Sequence, residues 1–239
     1  MASRLLLLEA RKPNPNPETK CSENQGKRSV THLGGGSEVI YSPRFLSSER
    51  AWAWFDYLEK EIPWTRPLIH VFGRSYPQPR DTCYVASEGL TDLKYSGYQP
   101  HAYTWDEYPV LRDILEAVHE VLPGSRFNSL LLNRYKCGSD YVAWHSDNEK
   151  LYGPTPEIAS VSFGCERKFL LKKKPAKKEE EPSKKRSKVA LRNVHSFLLK
   201  HGSLLVMSGH TQRDWLHSVP KHSKPGSVRI NLTFRQILL

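Results

Sequence analysis

The sequence predicts an α+β fold in which two helices precede a jelly roll of short strands. Three observations lead there. Two segments in the first half carry apolar residues at helical spacing, the chain beyond residue 126 breaks into short β-rich runs punctuated by turn residues, and no internal repeat is evident. At 239 residues, 38% hydrophobic and 10% aromatic, the chain is long enough for one sizeable packed domain. Its formal net charge of +11 argues for a polyanionic partner.

Residues 1 to about 30, with "KPNPNPETK", are polar and rich in Pro and Asn, the composition of an unstructured arm. The four leucines Leu5–Leu8 are too few for a secretory core or a membrane span, so a soluble, intracellular chain without membrane attachment is expected. Order is expected from Val39, giving an arm over 1–38 and a single domain over 39–239. The stretch "SSERAWAWFDYLEKEIPW" has a serine cap and apolar residues at Trp52, Phe55, Leu58 and Ile62, an amphipathic helix. In "YPVLRDILEAVHEVLPG", Pro109 opens a second helix, Leu111, Ile114, Leu115, Val118 and Leu122 form its stripe, and Pro123-Gly124 stops it. The later runs, "FNSLLLNRY", "YVAWHSD", "EIASVSFG", "RKFLLKK", "KVALRN", "HSFLLKHGSLLVMSG", "DWLHSV" and "VRINLTFRQILL", read as strands of a sandwich or jelly roll. Cys21, Cys83, Cys137 and Cys165 contain no CxxC pair, which suggests reduced thiols of the cytosol or nucleus and neither a zinc knuckle nor a disulfide framework.

Within "AWHSDNE", His145 and Asp147 are two residues apart, a spacing that on a strand puts both side chains on one face. Two His and one carboxylate on one side of a metal leave three positions open, the donor set of non-haem Fe(II) oxygenases. His217 in "DWLHSVP" is the candidate third ligand, although taken alone it reads more readily as a core histidine. At the C-terminus, Arg229, Asn231, Thr233 and Arg235 alternate with Ile230, Leu232 and Phe234. If the apolar face packs the core, the arginines are either wet or buried, and two buried unpaired guanidiniums would cost several kcal/mol. A bound dicarboxylate would neutralise both, because the guanidinium fork matches a carboxylate. A jelly roll can bring the HxD pair, the later His and this strand to one cavity.

The set "NRY…HSD…SFG…HGSLLVM…WLHSVP…RINLTFR" resembles the AlkB family of Fe(II)- and 2-oxoglutarate-dependent dioxygenases, from about Phe45 to Leu239. The resemblance implies a double-stranded β-helix (jelly roll) core, with N-terminal helices and a nucleotide-recognition lid over about 66–100. It implies iron on His145, Asp147 and His217. Arg229 would pair with the distal carboxylate of 2-oxoglutarate, helped by Tyr135. Arg235 and Asn133 would lie near its metal-chelating end, with Asn231 and Thr233 on the same wall. With O2 as the other co-substrate, the family's reaction removes an N-methyl group as formaldehyde and yields succinate and CO2.

A methylated base inside a duplex must be flipped out to react, and a wedge can fill the space it leaves. The stretch "IHVFGRSYPQPR" resembles the hairpin of the branch that repairs double-stranded DNA. That implies Phe72 as the wedge, with Val71 and Gly73 shaping its turn, Arg74 behind it and Arg80 a few residues on. Tyr95 in "LKYSG" matches the aromatic that stacks on the flipped base, with Leu93 where the branch has another aromatic. After the metal Asp, Asn148 stands where the branch has an acidic residue, and Glu149 follows. Lys168–Lys188 contains ten Lys/Arg and three Glu (10 − 3 = +7), which suggests a basic hairpin over about 168–190 that grips phosphates. Its "KKKPAKK" and "KKRSK" read as nuclear import signals.

The expectation is therefore a nuclear, monomeric oxidative demethylase of duplex DNA, acting on lesions such as 1-methyladenine, 3-methylcytosine and etheno adducts. The alternatives are a demethylase of RNA or single strands, and a basic nucleic-acid-binding module without chemistry.

Overall fold

A computed structural model describes residues 27–71, 74–90, 100–175, 194–222 and 226–238, with the backbone alone at 69–71. Order starts earlier than Val39. Strand β1 (Ser29–Gly34) pairs antiparallel with β2 (Ser37–Ser42) through a glycine turn. Gly34, Gly35 and Gly36 all have positive φ there, a conformation that glycine reaches without a steric cost. The expected arm over 1–38 is thus shortened at its C-terminal end, and residues 1–26 lie outside the described part.

Helix α1 (Ser48–Glu61) is capped by Ser47, whose side chain accepts from the Arg50 N–H at 3.3 Å. The buried stripe is Ala51, Trp54 and Leu58, continued by Ile62 at the C-cap. The expected stripe is corrected at Trp52, which is 48% exposed and lies stacked on His201 with ring centroids 4.0 Å apart. Strands β3 (Leu68–Val71) and β4 (Arg74–Pro77) form a separate hairpin. Strand β5 (Asp81–Ala86) is buried at every position and pairs in parallel with β6 (Ala102–Tyr103). Helix α2 (Pro109–Val121) has Pro in its first turn and buries Leu111, Ile114, Ala117 and Val118. Six strands therefore precede or lie between the two helices, where the sequence suggested helices first and strands afterwards.

The remaining strands are β7 (Ser129–Tyr135), β8 (Val142–His145), β9 (Ile158–Gly164), β10 (Arg167–Lys173), β11 (Val194–Leu199), β12 (Ser203–Gly209), β13 (Trp215–Val219) and β14 (Arg229–Arg235). A single-turn α3 (Thr211–Asp214) sits between β12 and β13. An eight-stranded sheet in the order β1-β2-β12-β9-β14-β7-β5-β6 lies over a four-stranded sheet in the order β11-β10-β13-β8. This is the jelly roll that the sequence predicts. Of the "KVALRN" strand, residues 188–193 lie outside the described part.

Two cores set the layers. Ile230, Leu232 and Phe234 of β14 join Leu58, Leu111 and Ile114 in the core between helices and large sheet. Phe169, Leu171, Leu205 and Met207 fill the space between the sheets. Because side chains alternate along a strand, β14 faces the helices with its apolar residues and the inter-sheet space with Arg229, Asn231, Thr233 and Arg235. All seven of its residues are buried, so neither arginine is wet.

Candidate metal centre

The cavity between the sheets is lined by β7, β8, β13 and β14. β7 and β14 pair with Arg229 opposite Tyr135 and Asn231 opposite Asn133, so the four side chains share one wall. Across from them, β8 and β13 pair His145 with His217 and Val142 with Val219. Ser218 alone on β13 therefore opposes Ala143 and Trp144 on β8, a β-bulge. The bulge lets both Val142 and His145 line the cavity although they are three residues apart. Asp147 is not on the strand, as the HxD spacing suggested, but just beyond its end. It is held by its own N–H, which donates to Gln212 Oε1 at 3.0 Å.

His145, Asp147 and His217 each offer a donor atom, and these atoms all lie within 4.8 Å of one another. His145 Nδ1 is 2.8 Å from Ala143 O. A carbonyl can only accept, so Nδ1 carries a proton and Nε2 is the nitrogen on the Asp147 side, 3.7 Å from its Oδ1. Burial, then the neighbouring His145, pushes the His217 pKa down to about 3. Its 3.9 Å approach to Asp147 is consequently a contact of a neutral ring at pH 7, not an ion pair. Burial alone would raise the Asp147 pKa, but Arg235, His217 and His145 outweigh it and hold the carboxyl well below its ordinary range. A neutral imidazole at His217 and an ionised carboxylate at Asp147 are the protonation states that a divalent ion requires of them.

The two arginines differ. Arg235 donates to Asp147 Oδ2 from Nη2 at 2.8 Å and from Nε at 3.2 Å. It is a partner of the carboxylate, and the expectation that both arginines await a diacid is corrected. Arg229, 1% exposed, donates from Nη2 to Ser162 Oγ at 3.0 Å, while its buried Nε and Nη1 have no hydrogen-bond partner. Its guanidinium lies 5.0 Å from the Tyr135 ring centroid, and burial lowers its pKa. Two unpartnered donors on a buried cation are costly unless an anion joins them. The small dicarboxylate expected from the sequence fits this demand.

Between the ends of the wall, Asn231 Nδ2 donates to Ser160 Oγ at 2.8 Å, and Thr233 Oγ1 donates to Asn231 Oδ1 at 3.0 Å. Arg80 Nε donates to Asn133 Oδ1 at 2.6 Å, so Arg80 lines the cavity itself. Arg74 is exposed on β4. Asn148 is exposed and accepts from Ser146 Oγ at 3.2 Å. Glu149 is half-buried, and its pKa is raised by burial and by Asp147. Val71 closes β3, with only its backbone described, and Phe72, Gly73, Leu93 and Tyr95 lie outside the described residues.

Two positioning residues were missed in the sequence. Gln212 on α3 is buried beneath Asp147, and Phe169 stacks on His217 at 5.4 Å. A lone amide in a turn and one more Phe in a strand carry no signal of such roles.

Residues 38–235 match the 2OG-Fe(II) oxygenase superfamily. The chain is 62% identical over 229 residues to the DNA oxidative demethylase ALKBH2 of Arabidopsis thaliana, covering 92% of this chain and 73% of that protein. It is 39% identical to the human protein of the same name, over 77% of this chain and 68% of that one. With the human alpha-ketoglutarate-dependent dioxygenase alkB homolog 3 it shares 34% identity, over 92% and 74%. The solved structure of OsALKBH1 superposes with a TM-score of 0.50 at 17% identity, covering 87% of this chain and all of that one, a likeness of fold. With the His-Asp-His cluster and the waiting Arg229 in one cavity, the chain belongs to the AlkB family of the 2OG-Fe(II) oxygenase superfamily, and Fe(II), 2-oxoglutarate and O2 are its cofactor and co-substrates.

Proposed function

We propose that this chain is an oxidative DNA demethylase that directly reverses alkylation damage. Its substrates are N-alkylated bases such as 1-methyladenine, 3-methylcytosine and etheno adducts, preferably in duplex DNA, and it acts as a monomer in the nucleus. One observation carries the chemistry: three metal-binding side chains and a buried guanidinium with two unpartnered donors converge on a single cavity. The DNA substrate is supported by relatives named DNA oxidative demethylase at 62% and 39% identity.

In this reading His145, Asp147 and His217 hold Fe(II), and Arg229 with Tyr135 holds the far carboxylate of 2-oxoglutarate. Asn133, Asn231, Thr233 and Arg235 complete the wall. Those groups supply O2-driven oxidation of an N-methyl group, coupled to decarboxylation of 2-oxoglutarate to succinate and CO2, with formaldehyde released. The protein's share is placement. Arg235 keeps Asp147 ionised, and the Ala143 carbonyl holds His145 Nδ1 so that Nε2 turns inward. Burial keeps His217 neutral. Val71, Phe72, Gly73, Arg74, Arg80, Tyr95, Asn148 and Glu149 are the proposed substrate contacts. Glu149, with Oε2 buried and without a partner, is suited to a base's exocyclic amine.

The test incubates the protein with Fe(II), 2-oxoglutarate and oligonucleotides carrying 1-methyladenine, in duplex and single-stranded form. Formaldehyde and succinate in equal amounts, lost in His145→Ala and reduced on duplex in Phe72→Ala, are the expected results. No formaldehyde from either form of DNA refutes the substrate, and full duplex activity in Phe72→Ala refutes the wedge.

A further inference from the structure

The bulge that aims His145 inward leaves Trp144 on the outside. It is 37% exposed and sits on β8, the edge of the four-stranded sheet, one residue from a metal-binding histidine. Lys172 of β10 places its Nζ 4.3 Å from the Trp144 ring centroid. The alternation of β10 and β11 puts Lys168, Lys172, Val194 and Leu198 on the outer side of the same sheet, with Lys172 opposite Val194 and Lys168 opposite Leu198. Val194 and Leu198 are 42% and 43% exposed. The surface beside the metal centre therefore combines an open indole, exposed aliphatic side chains and two lysines.

That combination selects its partner. Protein–protein interfaces are depleted in lysine, whereas surfaces that hold nucleic acid pair aromatic stacking platforms with cations that follow the backbone. We propose that Trp144, with Lys172 against its ring, stacks a base of the nucleic acid outside the cavity while Lys172 and Lys168 meet phosphates. The proposal rests on the DNA-substrate reading and deepens it. A base in the cavity must leave the stack, and Trp144 gives a neighbouring nucleotide a surface on which to restack next to the strand that bears His145.

The experiment measures binding of fluorescein-labelled 15-mers to full-length protein without metal, using single strands and duplexes, intact or with abasic nucleotides. Trp144→Ala is expected to weaken binding to intact DNA about five- to twentyfold, the scale of losing one stacked base, and Trp144→Phe to restore most of it. Lys172→Ala is expected to reduce the steepness of log Kd against log salt by about one. Abasic DNA is expected to bind wild type and Trp144→Ala alike. The visible absorption of anaerobic protein with Fe(II) and 2-oxoglutarate is expected to be the same in all variants, which separates a local effect from loss of the fold. If Trp144→Ala binds intact DNA as tightly as wild type, the stacking proposal is wrong, the DNA reading stands, and the face belongs to a protein partner. If wild type binds no oligonucleotide, the DNA reading fails and this proposal with it.

Discussion

Arg229 and Arg235 occupy one face of β14 and are both buried, at 1% and 5% exposure, yet their surroundings give them different work. Arg235 is already satisfied by Asp147, so its charge holds a ligand in its ionised form. Arg229 meets a serine hydroxyl and a tyrosine ring, and its Nε and Nη1 have no hydrogen-bond partner. The alternation of β14 made both residues legible as a pair, and the family resemblance rather than the strand pattern set Arg235 toward the metal end, because the difference lies in which end of the strand Asp147 reaches. Gln212 was hidden for a related reason, since its burial comes from α3 docking between β12 and β13. If Arg229 receives the co-substrate carboxylate, Arg229→Gln removes a charge-assisted interaction of about 1.5–3 kcal/mol, roughly 10- to 150-fold in affinity. The apparent KM for 2-oxoglutarate is expected to rise on that scale, with Arg229→Lys in between because it keeps charge without the fork. Titration with Co(II) is expected to show metal affinity unchanged. An unaltered KM would remove Arg229 from the co-substrate site.

Elements were readable where apolar and polar residues alternate or recur at helical spacing, as even in β14, which is buried throughout, and unreadable where they do not. The helices α1 and α2 announce themselves through caps and spacing, whereas β5, covered on both faces, has no alternation to find. The β8 bulge left no mark either, because it arises from pairing with β13. Its importance is testable. Deleting Ala143 restores one-to-one pairing, with Trp144 opposite Ser218 and His145 still opposite His217. Val142 and His145, now two residues apart, stay on the cavity face because residues two apart on a strand share a face. Metal binding by calorimetry is expected to survive the deletion, with circular dichroism that of a β-rich protein. Loss of metal affinity would mean that the bulged backbone itself aims the histidine.

The seat of α1 gives a second case at this scale. His201 Nδ1 accepts the Gly164 N–H at 2.8 Å while its ring stacks on Trp52, so the ring cannot take a proton at Nδ1 without losing that bond. Burial lowers the pKa of His201, and likewise that of His119, from 6.5. The unfolded chain then binds protons before the native one does, so this part of the stability is fully present above about pH 6.5 and is lost as pH falls below it. Urea midpoints are expected to decline from pH 7 to 5. His201→Asn, which keeps an acceptor but cannot titrate, is expected to flatten the decline. An equally steep decline in that variant would assign the loss to other groups.

At the scale of the whole molecule, charge and fold have separate origins. The jelly roll is specified by apolar alternation, and none of the described helices is long and apolar enough to cross a membrane. Much of the +11 charge is carried in one connection. Residues 176–193, between β10 and β11, hold seven Lys/Arg and three Glu (7 − 3 = +4). The strands they join are paired up to Lys172 and Val194, so a short Asn-Gly turn in place of 176–193 leaves both strands and the cavity intact. Each lysine or arginine that neutralises a phosphate adds about 0.9 to the slope of log K against log salt. If this connection grips DNA, its replacement is expected to make the slope less steep by roughly two to six and to weaken duplex binding most at low salt. Turnover of 2-oxoglutarate without DNA depends only on the cavity and is expected to stay at the wild-type rate. A slope that does not move would mean that these cations never approach phosphate, and the charge that binds DNA would then have to lie on the folded surface around Lys168 and Lys172.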